Sequence, residues 1–420
     1  MRVTNGMIIN NTLNNLYKNI SRLNTTYTQM ATGKKIQTVS DDPIVAGRAL
    51  KLKINVLETS QYQGNSKEAR SWMEITDSSL ENMDGLLTAI RTKCVTASTG
   101  TMSEKDKAVL KTDIDELWKQ IQEEANTTYG GRYVYSGYKT NEPLMLTKET
   151  TLNDNCTLSA DLITANFVTL ASGSTVAAGS TVAAGSTVNI SAGTLLDGVD
   201  AVALGLTADP TIPYSVTADT TVTVPTTGWT VNSDTQLAGG SSLKTGTTLA
   251  SGTTLTTGTA LSSGNLNPLV VGKIEGHSMS YQVGTANTIN VNVLGMDDTF
   301  NNIIKMMNEI VNIVDASLEP DTEITIDDLH ALFNDKLGEI DEILSDLSTK
   351  SADLGSRMAR LDYVDGRLTD NLTDYKELLS NTEDIDVEEV YTQFNSQYAA
   401  YTAALQATSK VIMNTLADYL

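Results

Sequence analysis

The residues able to do demanding chemistry are few. The chain has two histidines, His277 and His330, and two cysteines, Cys94 and Cys156. A histidine- or thiolate-ligated metal needs its ligands closely spaced, as in H-E-x-x-H or C-x-x-C. Neither pattern occurs, and no metal centre or cofactor is expected. The two cysteines lie in segments of different character, so no disulfide framework is expected either. One stretch invites a ligand: "TGKKIQTVSDDP", Thr32 to Pro43. A phosphate loop would need an earlier glycine, a hydroxyl residue after the lysine and a preceding hydrophobic strand. This stretch has none of them. Its tandem aspartates admit two readings, a cation site or a helix cap. Capping is favoured because Pro43 suits the first helical position, which leaves Asp42 at the N-cap. Gly33 then closes the preceding helix as its left-handed cap.

The elements that must carry these residues are mostly helices. Ile9, Leu13, Leu16, Ile20, Leu23, Tyr27 and Met30 step by four and three, a heptad seam that stops at Gly33. A second run starts at Pro43, carries Leu50, Ile54 and Leu57, and continues through Leu80, Met83, Leu87, Ile90 and Cys94. Ser103 is the expected N-cap of a third, with Leu110, Ile114, Leu117 and Ile121. "YGGRYVYSGY" then suggests a hairpin. The other end of the chain repeats the pattern. Leu354, Met358, Leu361, Leu368, Leu372, Tyr375 and Leu379 form one seam; after a gap at "NTEDID", Tyr391, Phe394, Tyr398, Tyr401, Leu405, Thr408 and Ile412 form another. A narrow seam needs a facing helix, and the simplest pairing sets end against end.

Between the ends lies a different material, rich in Thr, Ser, Gly and Ala and nearly uncharged. Leu152, Leu158, Leu170, Val176, Val182 and Val188 recur every six residues, with Thr164 in the missing slot. Val231, Leu237, Leu243, Leu249, Leu255 and Leu261 make a second array, and glycine precedes many of these positions by three. Units such as "VAAGST" and "LASGTT" look like the hexapeptide repeat of a parallel β-helix, one aliphatic per hexad pointing inward. Other β structure and low-complexity disorder are the competing readings. A hexapeptide acyltransferase would place a histidine base in the coils. Residues 150–266 contain none, which argues against an enzyme.

Composition narrows the partners. Lys and Arg total 29 against 51 Asp and Glu, a formal charge of -22, which opposes nucleic-acid binding. Aromatic residues make up only 5%, which suits elongated packing of aliphatic stripes better than a large compact core. No apolar run is long enough to span a membrane, and no secretory signal is recognisable. Composition alone therefore reads as cytoplasmic.

A resemblance revises that last point. "MRVTNGMIINNTLNNLYKNISRLNTTYTQMATGKKIQTVSDDPIVAGRALKLK" looks like the N-terminal domain of the flagellin superfamily. "GKKIQTVSDDPIVAG" resembles its hook–filament junction family, where flagellins typically read G-x-R-I and then A-D-D-A-A-G-L. "NTTYGGRYVYSG", "SADLGSRMARLDYVDGRLTDNLTDYKELLSNTEDIDVEEVYTQF" and "ALQATSKVIMNTLADYL" resemble later parts of that family. The resemblance covers about residues 1–145 and 275–420, in order at both ends, and omits the repeats.

What it implies is an α+β protein. Both ends would pair into an elongated α-helical coiled-coil domain, and the all-β insertion, a possible hexapeptide-type β-solenoid, would sit at the far tip. The expected division is 1–145, 146–275 and 276–420. Helix packing would rest on Leu13, Leu16, Ile20, Leu23, Leu354, Met358, Leu361, Phe394, Tyr401 and Leu405, and the repeat core on Val176, Val182, Val188, Leu243, Leu249 and Leu255. The resemblance further implies type III export without a cleaved signal, and work as a structural adapter in the flagellum. Its partners would be the first hook-associated protein, flagellin, other copies of itself and a cytoplasmic export chaperone. A flagellin with an atypical N-terminal motif is the alternative.

Overall fold

The computed structural model describes residues 5–99, 103–153, 155–158, 161–206, 209–270, 277–318 and 326–417. The order of helices is α1 (Asn5–Thr32), α2 (Pro43–Thr99), α3 (Glu104–Ala125), α4 (Gly198–Ala203), α5 (Met296–Leu318), α6 (Ile326–Glu383) and α7 (Val387–Ala417), with short strands between α3 and α5. Long helices at both ends and a β-rich middle make the fold α+β. The chain packs as two units. One holds residues 1–64 and 363–420, the other 65–362. That division runs through both end segments rather than between them and the repeats, and α2 and α6 contribute to both units.

In the second unit, α2, α3, α5 and α6 share an apolar core. Leu80, Met83, Leu87, Ile90 and Cys94 on α2 are at most 1% exposed, and Leu354 and Leu361 on α6 are fully buried. Phe300, Ile303, Ile304 and Ile310 of α5 join them. The polar faces are tied by ion pairs between neighbouring helices: Arg91 with Asp341, Lys111 with Asp315, and Lys336 with Glu309. Ser103 caps α3 in a capping box with Asp106. "YGGRYVYSGY" forms a short hairpin, Thr128–Tyr129 against Arg132–Tyr133, turning through two left-handed glycines.

The repeat region is one long antiparallel ribbon, wound up. Its outgoing arm pairs with its returning arm along its length: Thr157 with Thr254, Leu162 with Leu249, Val168 with Leu243, Val176 with Thr235, Val182 with Trp229, and Leu195 with Ser215. The arms pass through three sheets in rotation, one hexad per sheet. In the largest, outgoing and returning strands alternate: Thr220–Thr223, Thr187–Ile190, Ser241–Leu243, Val168–Leu170, Ala260–Leu261 and Thr150–Thr151. Every described strand pair is antiparallel, which overturns the parallel stacking expected from the hexads. The reason is topological: the chain returns between its own coils, so each strand's neighbours belong to the opposite arm.

The hexad chemistry explains the winding. Val176, Val188, Leu243, Leu249 and Leu255 are fully buried, and Val182 is 1% exposed. At most corners a glycine adopts positive φ, as at Gly179 (90°) and Gly252 (95°), where a side chain would be strained. The residue after most of these glycines is a buried serine or threonine, and several of these hydroxyls take a backbone N–H from the other arm. Ala250 N donates to Ser180 Oγ at 2.9 Å, and Ala177 N to Thr253 Oγ1 at 3.1 Å. Corner amides are thereby satisfied without water. Thr164, in the empty aliphatic slot, donates its hydroxyl to Lys244 O at 3.0 Å.

The spacer around 194–227 is the turn of the ribbon. It holds α4 and an inward-facing Leu196, while Leu195 stays outside. Asp200 of α4 is fully buried, yet it accepts from Trp229 Nε1 (3.1 Å), Asn232 N (2.9 Å) and Ser233 N (3.2 Å). These bonds offset its desolvation and fasten α4 to the returning arm.

Cross-linking tests the pairing. Thr157 Oγ1 and Thr254 Oγ1 are 3.2 Å apart, whereas Thr157 and Thr175 are both neighbours of Thr254 on opposite sides. In a Cys94→Ala, Cys156→Ala background, Thr157→Cys with Thr254→Cys is expected to oxidise to a disulfide. Thr157→Cys with Thr175→Cys, two strands and roughly 10 Å apart, is not. A parallel coil would reverse the two results.

Candidate functional site

The chemically versatile residues are not brought together. No group of three or more His, Cys, Asp or Glu side chains is placed to hold a metal among the described residues. His277 stacks on Tyr138, with ring centroids 4.3 Å apart. Cys94 is buried in the helical core, where desolvation pushes its thiol up to about 12 and suppresses the thiolate. Cys156 lies inside the ribbon, its Sγ 3.1 Å from Pro268 O, and neither cysteine is in a disulfide. No described helix is long and apolar enough to cross a membrane.

The terminal unit is where side chains converge. α1 lies against α7, with Thr26 Oγ1 donating to Gln397 Oε1 at 2.8 Å and Tyr27 against Phe394, ring centroids 6.4 Å apart. Each seam is only half used. On α1, Leu16, Leu23 and Met30, one heptad apart, are half-buried, as is Leu13, while Ile20 and Tyr27 stay exposed. On α7, Phe394 and Tyr401 are half-buried and Thr408 is buried. Tyr391, Tyr398 and Leu405, the alternate seam positions, are exposed. Ile20 and Leu405 thus lie outside the intrachain contact, because one facing helix covers one edge of a seam. Met358, on the other end's long helix, is half-buried. Ile412 falls where side chains lie outside the described set.

Below this pair, "TGKKIQTVSDDP" is a clasp. Gly33, at φ 72°, closes α1, with its N–H on Gln29 O at 2.8 Å. The chain then runs beside the turn between α6 and α7. Lys35 N donates to Glu383 O at 2.6 Å, and Ile385 N to Gly33 O at 3.0 Å. Lys34 Nζ reaches Asp384 Oδ1 at 2.9 Å, and Lys53 Nζ reaches Glu383 Oε1 at 2.7 Å. Asp42 Oδ1 accepts from Ile44 N (3.0 Å) and Val45 N (3.1 Å) at the start of α2, next to Pro43. Asp41 serves the loop instead, accepting from Thr38 N at 2.8 Å and Gln37 N at 3.0 Å. Those two N–H groups hold its carboxyl below the usual range. Lys34 is therefore set against acids of its own chain. Sequence reasoning saw "NTEDID" as a gap; the signal it missed was the complementary charge of "GKK" and "TED".

This unit also concentrates exposed apolar surface. Of the 24 large hydrophobic side chains exposed among the described residues, 15 lie in it, including Val39 (70%), Ile44 (75%), Leu50 (62%) and Leu57 (70%). Ile36, Val39, Pro43, Ala46 and Leu50 line a groove of about 250 Å3, floored by Glu383. Its charge is nearly balanced: residues 1–64 and 363–420 hold 11 Lys and Arg against 13 Asp and Glu, so the acidity of the chain resides in 65–362. Apolar surface on a near-neutral body is surface suited to association.

The bacterial flagellin N-terminal helical region matches residues 3–140. Residues 3–140, a third of the chain, thus resemble the N-terminal helical region of flagellins. The chain is similar to flagellar hook-associated protein 3 of Escherichia coli (strain K12), 41% identical over 113 residues; these are 27% of this chain and 36% of that relative. The chain therefore matches about a third of the length of that relative. It is also similar to a flagellin of Listeria innocua, 28% identical over 182 residues, 41% of this chain and 63% of the flagellin. Among solved structures, flagellar hook-associated protein-3 from Legionella pneumophila is 14% identical with a TM-score of 0.37, over 79% of this chain and 97% of that one.

Two variants probe the clasp. Asp42→Ala leaves two N–H groups of α2 unpaired and is expected to lower stability by about 1 kcal/mol in denaturant unfolding, with Pro43→Ala milder. Loss of a cation-dependent property without loss of stability would revive the metal reading. Asp384 is held below its usual range by the Ser380 hydroxyl and by Lys34, and Lys34 is raised by its bond to Asp384. A depressed acid contributes above its unfolded pKa, and a raised base below its own. The pair therefore stabilises between about pH 4 and pH 10 and weakens on either side. Both groups are largely solvated, so Asp384→Asn is expected to cost under about 1 kcal/mol near pH 7 and progressively less as the pH falls below the usual carboxylate range.

Proposed function

We propose that this chain is a structural component of the bacterial flagellum, an adapter at the junction of hook and filament. The observation that carries the reading is the half-used seam. α1 and α7 bring the two chain ends together and still present Ile20, Tyr27, Tyr391, Tyr398 and Leu405 outward. Such surfaces are completed by helices of neighbouring molecules. In this reading the ends pack as a helical coiled-coil layer in the flagellar wall. Other copies of the chain lie at its sides, the first hook-associated protein on one face and flagellin on the other. The protein reaches that place by flagellar type III export, held beforehand by a cytoplasmic chaperone. Its role is mechanical, with no enzymatic step, nucleic acid or membrane. The β ribbon is a solenoid-like insertion in the other unit.

The longer alignment with a flagellin favours a second reading, a filament subunit. One experiment separates them. Deleting the gene is expected to leave flagellin exported but unpolymerised in the medium. Loss of the major filament protein itself would establish the filament reading instead. Complementing the deletion with Tyr391→Ser plus Tyr398→Ser is expected to give a folded, exported protein that fails to restore filaments; full restoration would remove the seam from the interface.

A further inference from the structure

Trp118 differs from the other two tryptophans. Trp72 and Trp229 are 2% and 1% exposed, whereas Trp118 is partly exposed on α3, off the buried line of Leu110, Ile114 and Ile121. Asp115 and Gln122 lie three residues before it and four after, on the same helix face. Asn312 and Asp315 of α5 stand across from them, and Asn166 of the ribbon closes a third side. Together they border a cleft of about 410 Å3, within the range of small-molecule sites. A Cβ placed on Gly264 would lie 2.9 Å from Asn166 Nδ2 and 3.3 Å from Gln122 Nε2, so these two amides meet on one wall. The Trp118 indole, the Gln122 amide and the Asn312 amide make no hydrogen bond to any described residue. Burial raises the Asp115 carboxyl above its usual range, and Asp315 adds to the effect.

These walls select a class of ligand. Two carboxylates oppose an anion. Lys111, bonded to Asp315, and Lys119 oppose a bare cation. Amides along the walls disfavour a purely apolar guest. A sugar ring matches all of it: its C–H face packs on an indole, and its hydroxyls donate to carboxylates and accept from amides. We infer that this cleft binds a neutral carbohydrate, the ring stacked on Trp118 and the hydroxyls held by Asp115, Gln122 and Asn312. The site lies in the unit that holds the ribbon, and it stands or falls independently of the seam.

Because the other tryptophans are buried, acrylamide quenching of the full-length protein reads Trp118. The probes are short neutral oligosaccharides of glucose, of mannose and of N-acetylglucosamine. At least one series is expected to protect Trp118 saturably, with a Kd on the order of 1 mM. Gln122→Ala and Asn312→Ala are each expected to weaken that binding about tenfold with an unchanged circular dichroism spectrum. Trp118→Ala is expected to abolish the binding heat in calorimetry. Absence of saturable protection in all three series would overturn the assignment. So would binding that both amide variants leave intact.

Discussion

Helix seams need two flanks, and the terminal unit supplies one. A heptad stripe presents two rows of apolar side chains, and a single facing helix covers mainly the nearer row. On α7 the rows separate cleanly: Phe394, Tyr401 and Thr408 turn inward, while Tyr391, Tyr398 and Leu405 remain in solvent. The four helices of the other unit leave far less: Leu80, Met83, Leu87, Ile90 and Cys94 on α2 are buried, and among their described residues Val109 and Leu332 are the large apolar side chains exposed. One chain therefore contains a finished core and an unfinished one. The unfinished core also carries almost none of the net charge, which lowers the repulsion that copies of an acidic protein would otherwise feel. The clasp of Lys34 and Lys53 on Glu383 and Asp384 holds the two chain ends in register.

The ribbon meets a different constraint, the supply of hydrogen-bond partners in a chain that makes no long strand. Each strand is two to four residues long, too short to hold a sheet by local pairing. Winding the two arms together gives most rungs a neighbour on each side. Thr254 lies between Thr157 and Thr175, and Thr248 between Ile163 and Thr181. The buried corner hydroxyls do for the turns what the rungs do for the strands. Serine and threonine in these hexads are thus structural polar groups, satisfied across the arms, and only the outward threonines are surface.

Helix positions and the inward hexad positions were legible in the sequence because both depend on periodicity, which survives in one dimension. The α2 seam from Leu80 to Cys94 and the buried Leu249 and Leu255 could be named from spacing alone. Pairing is not periodic. Parallel and antiparallel coils place the same aliphatic residues inward, so the hexad carries no signal of direction. The one clue was that the repeats came as two arrays with a break between, which is how a hairpin reads. The clasp was half legible. Gly33, Asp42 and Pro43 announce helix ends by local chemistry, but Glu383 and Asp384 are some 350 residues from Lys34, and only their opposite charge connects them. The Trp118 cleft was invisible, since its three walls come from distant segments that share no motif.

The base of the ribbon explains how so foreign a segment sits in a helical protein. Its two ends leave the scaffold side by side. Leu146 N donates to Asn265 O at 2.8 Å, Met145 bridges Leu266, and the Asn126 side chain holds both Met145 N and Met145 O, at 3.0 and 2.8 Å. Seen from the helices, the whole ribbon is a closed loop with fixed ends, and its length changes the closure entropy only slowly. Length is not free in steps of one, however. Adding a single residue to one arm would shift every later rung against its partner and turn that arm's aliphatics outward, whereas a hexad added to one arm alone keeps them inward but moves every later strand on by one sheet. Both arms must grow together. The one-residue offset that the ribbon does contain, residues 224–228 facing 183–186, coincides with Pro225 and Gly228, residues suited to a bulge and a turn.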